Sequence, residues 1–508
     1  MGTKNGDCIL YGPKEEFKIR YESLGLYLHN CLKERGANEI LVTDAASQNV
    51  LTCGDALNKC IKLCKVLKSM SLKKGDVVAV ISENILNTYV ALLGTLLSGT
   101  TGFLLNFKYT PGELKHALDL AKPKVVLCSL TVVPNLLNIK EKYIFMPHII
   151  TIDGPLEFNN EDLSSMDSLI ENVSNTDDLQ MENLNIKDSA FLLLSSGTTG
   201  LPKCVELSHE NLIPTVNIIN DARYLGISKE DVVVSILPFF HIYGLILHLS
   251  PIFTLAKVIL MKHFKPDLFL QLIQDNRPTK LFIVPPILHF LLKSPMVNNY
   301  DISSLKVIFI GAAPLGKDIY EDALKRFKDV SIRQLYGTTE TSGICTIQQS
   351  TDCSSGDVGS LVCNFQCKVT DLCTNKAIGA LRTGELCFKS IGVSNGYYKK
   401  DTEINGGFVD DDGFYHTGDV GYYDEMGKIF IVDRIKDIIK YKGFQVAPAE
   451  LEDLLLSHLA VRDCGVIGVP DERAGELPLA FVVRQNGKNV TEQELIDFVA
   501  GELSFISL

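Results

Sequence analysis

The stretch Phe191–Lys203, FLLLSSGTTGLPK, joins a strand signal to an anion-binding signal. An apolar run suited to a buried strand ends in six consecutive Ser, Gly and Thr residues, Ser195–Gly200, and Lys203 follows three residues later. Small residues let backbone N–H groups approach an anion, hydroxyls add donors, and lysine adds a positive charge. The pattern predicts a phosphate-binding loop after a strand, and a flexible Ser/Gly surface loop is the alternative. The spacing of the nucleotide-binding P-loop is absent.

Six further blocks follow this loop in a fixed order. They are LPFFHIYGL (Leu237–Leu245), GAAPL (Gly311–Leu315), QLYGTTET (Gln334–Thr341), GEL (Gly384–Leu386), YHTGD (Tyr415–Asp419) and IVDRIKDIIKYKGFQVAPAE (Ile431–Glu450). Together they resemble the adenylate-forming superfamily, in particular the branch of 4-coumarate–CoA ligases, acyl-CoA synthetases and firefly luciferase. The resemblance covers most of the chain, and the order of the blocks makes it specific.

Hydrophobic periodicity before the loop alternates between helix and strand. Ser47–Met70 and Asn84–Leu97 have helical spacing, whereas Asp76–Ile81 and Lys124–Cys128 are short apolar runs suited to buried strands. This alternation predicts an α/β fold with mostly parallel sheets in several layers. Between residues 359 and 423 the apolar runs are shorter and punctuated by glycine, which predicts a small β-rich subdomain.

The resemblance implies two domains. Residues 1–432 match an AMP-binding adenylation domain, and residues 433–508 match part of a small α+β lid domain at the C-terminus. Members of the resembled superfamily continue beyond the position of Leu508, and that continuation carries a catalytic lysine. We therefore expect an incomplete lid and weakened adenylation, from a truncated gene, a splice form or a degenerate paralogue.

Composition narrows the function class. A chain of 508 residues is too long for a single core. Its net charge of −12, without a long Lys/Arg cluster, argues against a nucleic-acid platform. Fourteen cysteines occur without a C-x-x-C pair, so we expect reduced thiols. The apolar segment Val232–Met261 contains prolines, histidines and a lysine, so we expect no transmembrane segment.

The two ends of the sequence are where targeting signals, which determine where a protein is located in the cell, are expected. No secretory signal is visible at the N-terminus, and the chain ends in Ile-Ser-Leu and not in the peroxisomal Ser-Lys-Leu. We expect a cytoplasmic protein, or a peroxisomal one if a longer C-terminus carries the signal. The oligomeric state has no signature in the sequence.

The resemblance also implies roles at the nucleotide. The loop would cover the β- and γ-phosphates of ATP, Thr339 would approach the α-phosphate, and Glu340 would bind Mg²⁺. Asp419 would accept hydrogen bonds from the ribose hydroxyls, and Arg434 would contact ribose and phosphate. By itself, Asp419 could equally be a turn aspartate. The positions implied for the phosphates are Ser195, Ser196, Gly197, Thr198, Thr199, Gly200 and Lys203, and those for adenine are Gly311, Ala312, Ala313, Gln334, Tyr336 and Gly337.

The acid and the thiol would use other blocks. By resemblance His241 gates the carboxylate, while Phe240 and Tyr243 form walls of the acyl pocket; a packed core histidine is the alternative. In the lid, the positions that match those facing the adenylate and CoA are Lys440, Lys442, Gly443 and Gln445. A solvent-exposed basic turn without a role in catalysis is the alternative interpretation of this segment. Relatives carry glycine after the loop lysine where this chain has Cys204, which predicts local strain if a positive φ is required there.

These features predict an ATP-dependent acid–thiol ligase that uses ATP, Mg²⁺ and CoA. A carboxylic acid, fatty or aryl-propenoic, would become an acyl-AMP and then an acyl-CoA. The alternatives are a catalytically impaired nucleotide-binding paralogue and a luciferase-like monooxygenase.

Overall fold

The computed structural model describes residues 8–140, 147–154, 163–174, 184–195, 202–349, 356–399, 408–441, 444–471 and 474–502. The predicted site positions Ser196–Gly200, Lys442 and Gly443 lie outside these ranges. For Lys440 and Gln445 only the backbone is described.

Three sheets that contain parallel strands form the body of the molecule. The largest has, in spatial order, β10 (Lys203–Ser208), β9 (Ser189–Ser195), β5 (Thr101–Leu105), β4 (Val77–Ile81), β6 (Val125–Cys128), β7 (His148–Thr151) and β8 (Leu163–Ser165). The second has β11 (Val232–Ser235), β12 (Lys257–Leu260), β2 (Ile40–Asp44) and β3 (Val50–Thr52). The third has β13 (Lys280–Ile283), β14 (Val307–Ile310), β15 (Ser331–Tyr336), β16 (Thr346–Ile347) and β17 (Ser360–Leu361).

Two antiparallel sheets complete the fold. One has β1 (Ile9–Tyr11), β18 (Gln366–Thr370), β20 (Gly384–Lys389), β21 (Tyr415–Tyr423) and β22 (Ile429–Arg434), with β19 (Ala377–Ile378) beside β18. The other has β24 (Phe444–Val446), β23 (Ile439–Tyr441), β26 (Gly475–Arg484) and β25 (Val461–Asp471). This last sheet has its own hydrophobic core, separate from those of the large domain.

The α-helices pack on the faces of these sheets. They are α1 (Leu24–Glu34), α2 (Cys53–Ser69), α3 (Leu86–Leu97), α4 (Pro111–Ala121), α5 (Val133–Lys140), α6 (Met166–Glu171), α7 (Ile213–Asn220), α8 (Ile242–Thr254), α9 (Pro266–Asn276), α10 (Pro285–Lys293), α11 (Lys317–Arg326), α12 (Pro448–Ser457) and α13 (Glu492–Glu502). Short 3₁₀ turns occupy Leu130–Val132, Pro295–Asn299 and Thr339–Thr341. Every residue of β4, VVAVI, is buried, because the largest sheet is covered on both faces.

The predicted fold class is confirmed: a large α/β domain of mostly parallel sheets carries a β-rich subdomain and is followed by a small α+β domain. The predicted helix Ser47–Met70 is partly wrong. Val50–Thr52 forms β3, and α2 begins at Cys53 because the Thr52 hydroxyl accepts the Asp55 N–H and caps the helix.

Three other expectations concern Cys204, the state of the cysteines and membrane-spanning segments. Cys204 lies in β10 opposite Leu194 and is absent from the positive-φ residues, so the expected strain is wrong; burial raises the pKa of its thiol to about 12. No disulfide joins the cysteines that the structure describes. Within the same ranges, no helix has the length and apolar character needed to cross a membrane.

Candidate active site

A cavity of about 550 Å³ opens where the carboxyl ends of several parallel strands face the antiparallel sheet of the large domain. Ser195 at the end of β9, Ala312 just after β14 and Gly337 just after β15 line one side. Asp419 of β21 and Arg434 of β22 line the other side. Carboxyl ends of parallel strands are where α/β proteins place their ligand sites.

The strands β9 and β10 flank the phosphate-loop candidate. Strands β9 and β10 are antiparallel, and Ser195 lies opposite Lys203 in their register, so the two described ends of the loop are side by side. The Ser195 hydroxyl is buried in the cavity wall and has no hydrogen-bond partner among the described residues. A buried hydroxyl without a partner is energetically costly unless a ligand satisfies it.

The turns after β14 and β15 bring backbone close to the cavity. Ala312 has φ of +70°, a left-handed conformation that costs an L-residue energy and often marks functional sites. Gly311 does not line the cavity; a Cβ there would lie 2.4 Å from the Leu335 side chain. At Gly337 a Cβ would lie 1.5 Å from the Gly343 carbonyl oxygen, so only glycine fits this turn.

The Gln334 and Tyr336 side chains take different roles on β15. Gln334 is buried, and its amide donates to the Asp357 carbonyl oxygen at 3.1 Å. The Tyr336 hydroxyl donates to Asp419 Oδ2 at 2.6 Å. Burial raises the pKa of Tyr336 well above 10, and the negative Asp419 raises it further, so Tyr336 keeps the proton that it donates.

The Asp419 carboxylate is held by two partners, Tyr336 and Arg434. Its Oδ1 lies 3.3 Å from Arg434 Nε, and the two residues are register partners on β21 and β22. Burial raises the pKa of Asp419 above 3.8, while the hydrogen bond from Tyr336 and the charge of Arg434 oppose that rise. The carboxylate is therefore an oriented acceptor in the cavity wall.

Glu340, Tyr397 and Lys203 form a second polar group. Glu340 is buried and lines the cavity, and the Tyr397 hydroxyl lies 3.5 Å from its Oε1. Lys203 Nζ lies 4.9 Å from the centre of the Tyr397 ring, within cation–π range. Thr339 lines the cavity beside Glu340. The Glu340 carboxylate would suit a magnesium ion, and the Lys203 ammonium group would suit the phosphates that the ion accompanies.

The predicted acyl pocket is only partly as expected. Phe240 and His241 line the cavity, and the surrounding protein lowers the pKa of His241 below 6.5, so the imidazole is neutral at pH 7. His241 is accessible from the cavity although protein surrounds it. Tyr243, in contrast, does not line the cavity. It lies on α8 and is buried in the hydrophobic core, with its hydroxyl 3.5 Å from the Phe309 carbonyl oxygen.

Lys440 and Gln445 are paired in the register of the β23–β24 hairpin, whose tip lies outside the described residues. The small domain touches the cavity through α12. Ala449 lines it, and the Ala449 N–H donates to Asp433 Oδ2 at 3.1 Å.

Two places could hold a metal. Glu340 offers a buried carboxylate to a hard cation in the cavity. Elsewhere among the described residues, Glu385, Cys387 and His416 bring one ligand atom each within 4.8 Å of one another. Glu385 Oε2 and His416 Nδ1 are already paired at 2.7 Å, and we assign no metal to this cluster.

Sequence reasoning missed several lining residues. Asn106 and Tyr109 follow β5 in a segment without a recognised motif, and Tyr397 is brought in from a distant loop. Tyr415 and His416 lie inside the YHTGD block, from which only Asp419 was selected. The YHTGD block itself was the signal that could have found them, because Tyr415 and His416 precede Asp419 in the same strand.

Comparison with known proteins identifies the family of this chain. The AMP-binding enzyme family matches residues 29–398, and the C-terminal domain of AMP-binding enzymes matches residues 450–507. A luciferin 4-monooxygenase of Photuris pensylvanica is 36% identical over 99% of this chain and 93% of its own length. The 4-coumarate–CoA ligase 3 of Arabidopsis thaliana is 35% identical over 89% of this chain and 81% of its own length.

Solved structures show the same architecture. ATP-bound MatB from Rhodopseudomonas palustris superposes with a TM-score of 0.83 at 27% identity, covering 94% of this chain and 92% of that one. The matching families, the relatives and this fold place the chain in one group: it belongs to the AMP-binding enzymes of the adenylate-forming superfamily.

Proposed function

We propose that this protein is an ATP-dependent acid–thiol ligase that activates a carboxylic acid as acyl-AMP and transfers the acyl group to CoA. The observation that carries the proposal is the convergence of three groups in one cavity. Asp419 is an oriented carboxylate acceptor, Glu340 is a buried carboxylate, and the Ser195 hydroxyl lacks a partner among the described residues. These groups suit ribose hydroxyls, a magnesium ion and a phosphate oxygen respectively.

In the first half-reaction an acid carboxylate oxygen forms a bond to the α-phosphorus of ATP, and pyrophosphate leaves. The protein's contribution is positioning and charge stabilisation, since it forms no covalent bond itself. Asp419 and Arg434 would fix the ribose, while Lys203 and the loop donors would neutralise the departing phosphates. His241 is neutral, so at the pocket mouth it would orient the carboxylate by hydrogen bonding without adding a competing charge.

Glu340 fits a magnesium ion because a hard divalent cation prefers carboxylate oxygen and shares its shell with phosphate oxygens. When bound there, the ion would neutralise charge on the phosphates. The Tyr397 hydroxyl, 3.5 Å from Glu340 Oε1, would help to orient that carboxylate.

In the second half-reaction the CoA thiolate attacks the acyl carbonyl, and AMP leaves. The β23–β24 hairpin supplies the positions Lys440 and Gln445 for this step, following the superfamily pattern. The 4-coumarate–CoA ligase relatives support an aryl-propenoic acid as the substrate, and a fatty acid is the alternative that the superfamily pattern suggests.

The experiment is to incubate the protein with MgATP, CoA and separate fatty and aryl-propenoic acids, and to measure acyl-CoA and AMP by mass spectrometry. Equal amounts of acyl-CoA and AMP from at least one acid are expected. AMP formation without a thioester from any acid would contradict the CoA step and leave only adenylation.

A luciferase-like monooxygenase is the second candidate, because several similar relatives are luciferin 4-monooxygenases. The residues assembled in the cavity serve adenylation in either case. Light emission with luciferin, MgATP and oxygen, in the absence of thioester formation from the acids, would favour this candidate.

A further inference from the structure

Asp419 lies in an irregular part of its strand. On β20, Glu385 pairs with Val420 and Cys387 pairs with His416, so only Leu386 stands opposite the three residues Thr417, Gly418 and Asp419. The bulge bends β21, and Gly418 adopts φ of +73° within it. Bulges of this kind re-aim side chains beside active sites, and their extra residues lose ladder partners.

On the side of β20, side-chain contacts take the place of the ladder bonds that the bulge lacks. The Thr417 hydroxyl donates to the Leu386 carbonyl oxygen at 2.8 Å and accepts from the Asp419 N–H at 2.9 Å. The Gly418 N–H donates to Glu385 Oε1 at 2.9 Å. Its carbonyl oxygen accepts the Ile435 N–H at 2.8 Å.

Glu385 uses both of its carboxylate oxygens. While Oε1 accepts the Gly418 N–H, Oε2 lies 2.7 Å from His416 Nδ1. One carboxylate thus joins His416, the last paired residue before the bulge, to Gly418, the residue that immediately precedes Asp419. Both contacts lie on the side of the strand that faces β20.

Other polar and charged groups surround this pair. Cys387 Sγ lies 3.5 Å from His416 Nδ1, and Asp410 Oδ2 lies 3.4 Å from His416 Nε2. Lys368 Nζ of β18 lies 2.6 Å from Asp410 Oδ2 and 3.1 Å from Asp412 Oδ2. Carboxylates thus flank both ring nitrogens, and the hydrogen bonds with Cys387 and Glu385 raise the pKa of His416 to about 10.

We propose that Glu385 is a positioning residue for nucleotide selection: by clamping His416 and the Gly418 amide, it fixes the bulge that aims Asp419 at the ribose hydroxyls. The inference rests on the proposed function, in which Asp419 accepts those hydroxyls. Glu385 acts through the bulge, since it does not line the cavity itself. Removing its carboxylate leaves the Gly418 N–H without its acceptor, so the backbone that carries Asp419 loses one of the contacts that fix its position.

The test compares nucleotides that differ only in the groups that Asp419 would contact. Calorimetry gives the dissociation constants of MgATP and of magnesium 2′,3′-dideoxy-ATP for the wild type, Glu385→Ala, Glu385→Gln and the control Lys389→Ala. Lys389 is exposed on the same strand, and its Nζ donates to the Asp412 carbonyl oxygen. The wild type and the control should prefer ATP by about tenfold or more, since hydrogen bonds to a charged group are at stake.

In Glu385→Ala this preference should fall by about tenfold while affinity for the dideoxy nucleotide stays nearly unchanged. Glu385→Gln, which keeps a carbonyl oxygen for the Gly418 N–H, should retain more of the preference than Glu385→Ala. If Glu385→Ala keeps the wild-type preference for ATP, or loses the same affinity for both nucleotides, Glu385 does not position Asp419. Either result would leave the proposed function intact. If the wild type binds both nucleotides equally, Asp419 does not contact the ribose hydroxyls. That result would contradict both the positioning role of Glu385 and the site assignment on which the proposed function rests.

Discussion

Lys203 and Glu340 are linked at the residue scale through Tyr397, which contacts both. Lys203→Ala and Glu340→Gln should each weaken MgATP binding by about tenfold or more, because each removes a charged partner of the nucleotide or its ion. Calorimetry of each variant with MgATP checks this. Lys229 and Glu230, both 69% exposed and 4.0 Å apart, supply the matched controls Lys229→Ala and Glu230→Gln. Unchanged affinity in both site variants would contradict the phosphate assignment.

His241 should affect the choice of acid more than the binding of nucleotide. It lines the cavity next to Phe240, and we assign it to the acid, so His241→Ala should reorder kcat/KM among acids while the KM for ATP changes little. Tyr243→Phe is the control, because that side chain is buried behind the wall. Steady-state kinetics with a series of chain lengths provides the comparison. An unchanged acid profile with a raised KM for ATP would place His241 at the nucleotide instead.

Residues inside continuous motifs were the most predictable part of the site. Ser195 and Asp419 lie in strands, and Glu340 lies in the 3₁₀ turn that follows β15, so each could be selected from a continuous motif. Tyr397 and Glu385 were not selected because their roles depend on contacts across long sequence separations. The strain expected at Cys204 was wrong because β10 continues through that residue in extended conformation.

At the scale of elements, the turn after β15 leaves no room for a side chain at Gly337. A Cβ would meet the Gly343 carbonyl oxygen at 1.5 Å, so Gly337→Ala must displace backbone and should lower the free energy of unfolding by about 1–3 kcal/mol. The control is Gly112→Ala in α4, where a Cβ meets nothing within 4 Å. That change should be neutral or stabilising, by up to about 1 kcal/mol. Urea unfolding that ranks the two variants equally would contradict the close approach.

The His416–Glu385 pair makes the β20–β21 connection sensitive to pH. Because the folded pKa of His416 is about 10, above the ordinary 6.5, its stabilising contribution is fully present below pH 6.5. The contribution declines above that pH and is lost as the pH rises through about 10. The difference in urea midpoint between wild type and His416→Asn should therefore shrink between pH 6.5 and pH 10. A constant difference across this range would show that the charged pair contributes no stability.

Element boundaries show where local patterns stop being sufficient. The helical periodicity of Ser47–Met70 begins before the first residue of α2. The residues Val50–Thr52 form β3 because their backbone pairs with β2, and hydrophobic periodicity does not encode that contact. The strand β4 and the helix α3 were predictable because their residues are apolar almost throughout. The bulge in β21 is visible only once the register with β20 is known.

At the scale of the whole molecule, the cavity is formed by several sheets together and touched by the small domain. The boundary between residues 432 and 433 remains our proposal for where the two domains meet. Strand β22 ends at Arg434, and the next sheet begins with β23 at Ile439. The bond from the Ala449 N–H to Asp433 Oδ2 ties α12 to this connection. A lid that closes on the cavity would pivot close to the arginine that contacts Asp419.

The central claim is that this cavity activates a carboxylic acid with ATP, and isotope exchange between labelled pyrophosphate and ATP tests it without any thiol. Exchange should require both an acid and magnesium, and Asp419→Ala should slow it by roughly 10²-fold or more, as expected when a residue that positions the reactants is removed. Exchange that proceeds without acid, or that is equally fast in Asp419→Ala, would contradict the account.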